Sequence, residues 1–347
     1  MSTDKSFYLN NVNFSGYRSL NNSQINLMDN LNIIIGKNAA GKTNFLTCLH
    51  NSLLLNEDSI EKFNFKIDFD GNIKFFINSV ENELDGHLIK GETSINLKES
   101  RYNLAIKSND GKWSRRRNLS GGEVFNVLQK SYKVSFKTTF IQHGIPKKYP
   151  LIDKPISFNI SFENGINHDL FKFAFDEESP KFSRLVAANL LFDFLNLTDN
   201  KKSNDGTVAS KFVSKVILNH SKKLKKILNK LKYHSPIEDI KFSKNFNVFT
   251  DIEKQQITVT NLFIEFKVGK SWIPFKNLSD GTKRLLYIIS EIEYSNQSLT
   301  LFPSSIGFRK DAKPILFIEE PELGIHPHQL MNLMKFIKSE SNDKQIT

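Results

Sequence analysis

The stretch Gly36-Lys37-Asn38-Ala39-Ala40-Gly41-Lys42-Thr43 constrains this chain more than any other. It fits G-x-x-x-x-G-K-[ST], a loop that wraps phosphate groups in its own backbone. Gly36 and Gly41 allow the bend that turns several N–H groups toward β- and γ-phosphates. Lys42 brings a positive charge, and Thr43 offers a hydroxyl to Mg²⁺. Leu31 to Ile35 reads as a buried strand before the loop, and Thr43 to His50 as a helix after it. That order suits the chemistry, because a helix N-terminus favours negative charge. The alternative is a loop of the same form that binds no nucleotide. A strand–loop–helix unit of this kind implies an α/β fold.

Two further segments gain meaning from this loop. Asn277-Leu278-Ser279-Asp280-Gly281-Thr282-Lys283-Arg284 precedes the apolar run Leu285 to Ile289. A Ser–x–Gly turn that opens a helix makes another nest of N–H groups, although Ser-Asp-Gly is also an ordinary turn. Pro314 to Ile318 reads as an apolar strand that ends in Glu319 and Glu320. A Mg²⁺-dependent nucleotide hydrolase places its acids in this way beside the phosphate loop. Successive strand side chains point oppositely, so the two acids take different roles. Glu319 suits the metal shell, and Glu320, at the strand end, suits the attacking water. The plainer reading is a strand end that happens to be acidic.

The 347 residues suffice for one large domain or two smaller ones, and their formal net charge is +11. That charge fits contact with nucleic acid or another polyanion, and equally a Lys- and Asn-rich compositional bias. No apolar run is long enough to cross a bilayer, and the first six residues carry no apolar segment of a secretory kind. The single cysteine, Cys48, excludes an internal disulfide and reads as a small core residue on the helix after the loop. These features suit the cytoplasm.

Alternation of polar and apolar residues predicts strands at Phe7 to Val12, Gln24 to Leu27, Phe63 to Phe69 and Asn72 to Ile77. It continues at His87 to Lys90, Ser94 to Leu97, Tyr102 to Ile106 and Lys112-Trp113, which makes an antiparallel β layer. Lys133 to Gln142 and Pro155 to Phe162 add two strands. Helical spacing then appears at Phe182 to Leu195, with Leu185, Ala188, Leu191 and Phe192 on one face. A second helix, Val208 to Tyr233, carries a stripe of Phe212, Val216, Leu224, Ile227 and Leu231. Its other face bears Lys211, Lys215, Lys222, Lys223, Lys226 and Lys230, which suits DNA phosphates or plain solvation. Strands return at Phe246 to Thr250, Gln256 to Thr260 and Leu262 to Val268.

The order of phosphate loop, Leu-Ser-x-Gly and acidic strand is that of ABC-type ATPases. Asn38 to Asn44, Leu278 to Leu285 and Ile318-Glu-Glu-Pro-Glu-Leu-Gly-Ile-His-Pro327 resemble the RecF/SMC/OLD-like branch, which includes ATPases of bacterial anti-phage systems. Phe14 to Leu20 also looks like the branch's first strand-turn. The resemblance covers both ends of the chain, not the middle from about Phe63 to Thr250, and implies an ABC-type head; with the antiparallel β layer and the helical insertion read from the residues, the chain divides at 1–165, 166–240 and 241–347. It implies that Gly36, Lys37, Asn38, Ala39, Ala40, Gly41, Lys42, Thr43 and Asn44 hold ATP. Glu319 would join Thr43 on Mg²⁺, and Glu320 would serve the hydrolytic water. Ser279 and Gly281 would contact the γ-phosphate of ATP bound by another subunit, and Gly324 to His326 would cross the interface. The implied assembly is a homodimer or higher homo-oligomer bridged by ATP. Its implied partners are a nuclease or toxin effector and DNA or RNA, with no membrane. A non-hydrolysing scaffold that holds an effector is the alternative.

Three points depart from the pattern. Asn118-Leu119-Ser120-Gly121-Gly122-Glu123 matches the signature more literally than the stretch at 277, but lies far from the acidic strand. Position therefore favours Ser279, although Arg115-Arg116-Arg117 leave a phosphate or nucleic-acid role open for the earlier segment. Gln142, at the end of a strand, is the candidate for the branch's glutamine loop. The branch's histidine strand is expected after a helix at Gln329 to Ser339, where Lys344 to Thr347 resemble only its beginning.

Overall fold

The computed structural model describes residues 7–55, 63–71, 74–80, 84–86, 95–97, 101–107, 111–132, 138–142, 155–161, 165–166, 169, 181–198, 206–293, 295 and 313–347. The expected strand at His87 to Lys90 and the first half of the one at Lys133 to Gln142 lie outside these residues. The chain forms two compact units. The first comprises Met1–Gln142, Ser304–Glu319 and Ile337–Thr347, and the second His143–Pro303 and Glu320–Phe336.

The first unit holds an antiparallel sheet of β1 (Tyr8–Ser15), β2 (Ser23–Asn26), β3 (Asn64–Asp70), β4 (Lys74–Val80), β7 (Arg101–Lys107) and β8 (Trp113–Leu119). Their spatial order is β2-β1-β3-β4-β7-β8. Between β4 and β7 in sequence lies a separate small hairpin, β5 (Leu84–Gly86) with β6 (Ile95–Leu97). Period-2 patterning decides which sheet face is buried. Phe65, Ile67 and Phe69 of β3, Phe75 and Ile77 of β4, and Tyr102, Leu104 and Ile106 of β7 all face one core. A bulge between Leu9 and Asn11 shifts the register of β1, so that Leu9, Val12 and Phe14 all turn inward.

Helix α1 (Lys42–Leu54) packs Phe45, Leu46, Leu49 and Leu53 into the same core. Cys48 is fully buried there, as its helical position predicts. The rings of Phe140 and Phe317 lie 5.6 and 6.2 Å from that of His50 on α1. They belong to a parallel sheet ordered β18-β17-β9, from β9 (Thr138–Ile141), β17 (Ile315–Ile318) and β18 (Gln345–Ile346). The expected buried strand at Leu31 to Ile35 is reduced to one bridge, Leu31 to Ile346. Ile34 packs on the core, whereas Ile33 and Ile35 stay 65% and 90% exposed.

A buried amide ties this unit together. Gln345 donates to the carbonyls of Leu9 and Met28 at 2.7 and 2.8 Å and accepts from the Leu9 N–H at 2.9 Å. A short helix, α2 (Gly121–Asn126), follows β8.

In the second unit, β10 (Ile156–Ser161), β11 (Gly165–Ile166), β13 (Asn247–Asp251) and β14 (Gln256–Leu262) form a sheet ordered β11-β10-β14-β13. The strand read at Pro155 to Phe162 therefore belongs with strands some ninety residues later rather than with the first β layer. Another sheet joins β12 (Asp239–Phe242), β15 (Ile264–Val268) and β16 (Ser271–Pro274).

Helices α3 (Lys181–Thr198) and α4 (Gly206–Ile227) precede these strands, followed by α5 (Asn229–His234). The expected single helix from Val208 thus breaks at Leu228. On α3 Phe182, Leu185, Val186, Ala187, Leu190, Leu191 and Phe194 are buried, with Ser183 among them. Phe192, expected on the apolar face, is 53% exposed, because the face turns toward Phe194 instead. On α4, Val213, Val216, Ile217 and Leu224 are buried, and Lys211, Lys215 and Lys222 are exposed, as the spacing predicts. The side chains of Lys223, Lys226, Ile227 and Lys230 lie outside the described residues. Asp193 of α3 and the buried His220 of α4 pair at 2.7 Å. Two more helices complete the chain, α6 (Asp280–Glu293) in the second unit and α7 (Pro327–Glu340) before β18.

Candidate nucleotide-binding site

The phosphate loop leads directly into α1. Ala39 and Gly41 adopt left-handed backbone, with φ of 62° and 86°. A Cβ on Gly41 would lie 3.0 Å from the Ser19 hydroxyl, so glycine meets both a conformational and a spatial demand. No side chain caps α1, and no acid occupies its first turn. Its first N–H groups are therefore left for an anion. The Lys42 ammonium folds back over the loop and donates to the carbonyls of Gly36 and Lys37 at 2.6 and 2.9 Å. There it stands where a phosphate would compete for it.

Sheet register delivers the acid. Ile318 of β17 pairs with Ile141 of β9, and the Glu319 N–H donates to the Ile141 carbonyl at 2.9 Å. Glu319 is buried, and its carboxylate accepts a hydrogen bond from the Thr43 hydroxyl. Gln142, one residue beyond Ile141, lies at the same end of the parallel sheet. Ligand clefts in α/β sheets open at this carboxyl end. A hydroxyl and a carboxylate side by side match what Mg²⁺ takes from a protein when phosphate oxygens and water complete its shell. Among the described residues no cluster of three or more His, Cys, Asp or Glu is assembled, and a site of this type needs none.

Glu320 behaves differently from its neighbour. It is exposed and adopts φ 44°, a left-handed conformation rare for a residue with a Cβ. Its carbonyl accepts from the Leu323 N–H at 3.1 Å, which closes a turn. The turn swings Glu320 off the strand that carries Glu319, so the two acids separate as strand alternation suggests.

The second unit contains the other loop. The Ser279 hydroxyl caps α6, accepting from the Thr282 N–H at 3.2 Å and lying 2.9 Å from the Thr282 hydroxyl. A Cβ on Gly281 would fall 2.6 Å from the Gly324 carbonyl. Glycine there permits close approach of the Gly324 to His326 turn, so two segments singled out from sequence meet in one place. The rival stretch at Ser120 has a structural use. Ser120 and Glu123 form a reciprocal capping box on α2, and a Cβ on Gly121 would clash with the Leu55 carbonyl at 2.2 Å.

The sequence pattern left one contact unassigned. The turn between β1 and β2 reaches the start of α1. Asn44 donates to the Ser19 hydroxyl at 2.9 Å and accepts from the Arg18 guanidinium at 3.2 Å. The strand-turn Phe14 to Leu20 was visible in the sequence, but its service to Asn44 depends on a fold that closes β1 onto the loop.

The chain matches, over residues 31–346, the family described as AAA domain, putative AbiEii toxin, Type IV TA system. It belongs to that family. The phosphate loop, the signature-like turn and the acidic strand all lie inside the match, and the chain is an AAA-family P-loop protein of mixed α/β structure. Similar solved structures include an SMC head bound to the C-winged-helix domain of ScpA, with 16% identity and a TM-score of 0.42, covering 98% of this chain and 88% of that one. Another is the Smc head with extended coiled coil bound to the C-terminal domain of ScpA, from Pyrococcus furiosus, with 14% identity, a TM-score of 0.43 and the same coverage of 98% and 88%. A third is the recombination mediator RecF with ATP, with 13% identity and a TM-score of 0.38, covering 98% of this chain and 92% of that one. No curated protein sequence matches the chain. Among the described residues no helix is long and apolar enough to cross a membrane.

Proposed function

We propose that this protein is an ATP-binding and hydrolysing switch, working as an ATP-bridged dimer with a nuclease or toxin effector in anti-phage defence. The observation that carries the reading is the contact between the Thr43 hydroxyl and the buried Glu319 carboxylate at an uncapped helix N-terminus. The loop from Gly36 to Asn44 binds and orients the triphosphate through N–H groups, and Lys42 neutralises charge on it. Bound Mg²⁺, held by Thr43 and Glu319, supplies Lewis-acid neutralisation of phosphate charge. Glu320 orients the attacking water and takes its proton. Gln142 stands at the sheet end to sense the γ-phosphate. Ser279 and Gly281 serve a second subunit's nucleotide, with Gly324 to His326 at the junction. The toxin–antitoxin description of the family supports the effector and defence parts of this reading.

The test is mass in solution with ATP-γ-S, alongside phosphate release. The mass doubles for the wild type, Lys42→Ala abolishes nucleotide binding, and Glu320→Gln keeps the dimer while phosphate release falls by at least ~100-fold. An unchanged mass, together with nucleotide binding that survives Lys42→Ala, rules the model out.

A further inference from the structure

The outer face of the six-stranded sheet presents a basic and aromatic surface that the ATPase reading does not use. Edge strand β8 is exposed from Trp113 to Asn118, and Arg115, Arg116 and Arg117 follow one another along it. Among the described residues no carboxylate lies within ion-pair distance of any of these three guanidinium groups, and the strand's only lateral partner is β7. Cross-strand register aligns the face. Trp113 stands opposite Lys107, Arg115 opposite Ala105, and Ala105 in turn opposite Phe76 of β4. The Phe76 and Trp113 rings lie 5.6 Å apart, and the Lys66 ammonium sits 4.8 Å over the other side of Phe76. A shallow depression of about 280 Å³ opens beside them, lined by Phe76, Asn78, Asn103 and the three arginines. The acids on this side are already matched: Asp68 pairs with Lys66 at 3.4 Å and Asp70 with Lys74 at 2.8 Å.

Arginines without acidic partners on a sheet edge attract a polyanion. A solvated cationic edge also discourages strand-to-strand aggregation, and that use alone would account for the arginines. It does not account for an exposed tryptophan, 44% accessible, beside Phe76, which lines the depression. Flat aromatic faces next to guanidinium groups suit unpaired bases, which stack on any π-surface while the backbone follows the cations. Asn103 Oδ1 accepts from the Asn118 N–H at 3.1 Å and Asn78 Nδ2 donates to the Ser79 carbonyl at 3.3 Å, so the Asn103 Nδ2 and the Asn78 Oδ1 are the groups turned to base edges. A duplex keeps its bases stacked on one another and gains little from the aromatic pair.

We infer that the outer face of β4, β7 and β8 is a binding site for single-stranded nucleic acid, with Arg115 and Arg117 on the phosphates and Trp113 and Phe76 beneath the bases. It is assembled wholly from the first unit and is independent of the nucleotide loop.

Fluorescence anisotropy of the full chain with labelled 20-nucleotide single-stranded DNA, single-stranded RNA of matching sequence and the corresponding duplex tests it. Either single strand, or both, binds at least ~10-fold tighter than the duplex, which also tells which sugar is preferred. Arg115→Ala/Arg117→Ala weakens binding ~10- to 100-fold and flattens the log–log salt slope by about 1.4. Trp113→Ala weakens it ~5- to 100-fold without altering the slope. In a Trp272→Phe background, which leaves Trp113 as the sole indole, single-stranded DNA quenches tryptophan emission. Lys42→Ala binds as the wild type does, which separates this site from the ATPase reading. Duplex binding as tight as single-strand binding overturns the inference. So does equal binding of polyglutamate, absence of quenching, or loss of binding only when Lys211, Lys215 and Lys222 of α4 are replaced.

Discussion

Gln345 shows how one side chain holds distant segments. Its amide satisfies the Leu9 N–H and carbonyl and the Met28 carbonyl, and is itself 1% exposed. Alanine would strand those groups without solvent, at a cost of about 2–4 kcal/mol. Urea denaturation of Gln345→Ala should show that drop in unfolding free energy. A midpoint equal to wild type would mean that water reaches the site. Glu320 is the opposite case, a residue held in an unfavourable backbone well. Its φ of 44° costs about 1 kcal/mol or more relative to glycine. Glu320→Gly should therefore raise the thermal midpoint slightly while abolishing ATP hydrolysis, because the carboxylate is lost. A variant both less stable and inactive would remove the claim of stored strain.

Elements explain what patterns alone left ambiguous. Helix α1 lies between two sheets, and burial there pushes the His50 imidazole down to about 4 from an ordinary value of 6.5. A neutral group in the fold that charges more readily when unfolded destabilises the protein as pH falls. The contribution is complete above about pH 7, declines as pH drops through 6.5 toward 4, and amounts to at most about 3 kcal/mol. His50→Leu should flatten the pH dependence of the urea midpoint across that window relative to wild type. Parallel curves would contradict a buried neutral imidazole. The two Leu-Ser stretches form a second comparison of elements. Ser120→Ala loses a capping box and about 1 kcal/mol of stability with hydrolysis intact. Ser279→Ala lowers hydrolysis. Steady-state ATPase rates on both, beside their melting curves, separate a cap from a site. Local sequence could not make this distinction, because both segments read as a serine before a glycine turn. What was legible were segments with strong local codes: the phosphate loop, the strands at Phe63 to Phe69 and Asn72 to Ile77, and the apolar strand before Glu319. What was not were features set by partners far along the chain. Leu31 to Ile35 looks like a strand but makes a single bridge, Leu31 to Ile346, and Ile156–Ser161 pairs with Gln256–Leu262 across the helices. The strand at Trp113–Leu119 was read only at its start, Lys112-Trp113, because the residues beyond it face solvent and carry no apolar alternation.

At the scale of the whole molecule, the proposed function draws its nucleotide contacts from separate units of the chain. The phosphate loop, Glu319 and Gln142 belong to the first unit, and Ser279, Gly281 and the Gly324 turn to the second. If each site is completed by another subunit, two kinds of damaged subunit must rescue each other. Lys42→Ala spoils the loop and Ser279→Arg spoils the opposing turn, so each variant alone has no intact site. Mixed in equal amounts, half the dimers pair unlike subunits and keep one good site of two. Hydrolysis should then return to about a quarter of the wild-type rate under closed two-fold pairing. The mixing experiment needs both proteins folded, which matching melting curves establish, and exchange of subunits, which mass measurement with ATP-γ-S follows. Recovery near a quarter supports a shared site. No recovery from subunits that demonstrably pair would place every hydrolytic group within one chain, and Ser279 would then act on stability alone.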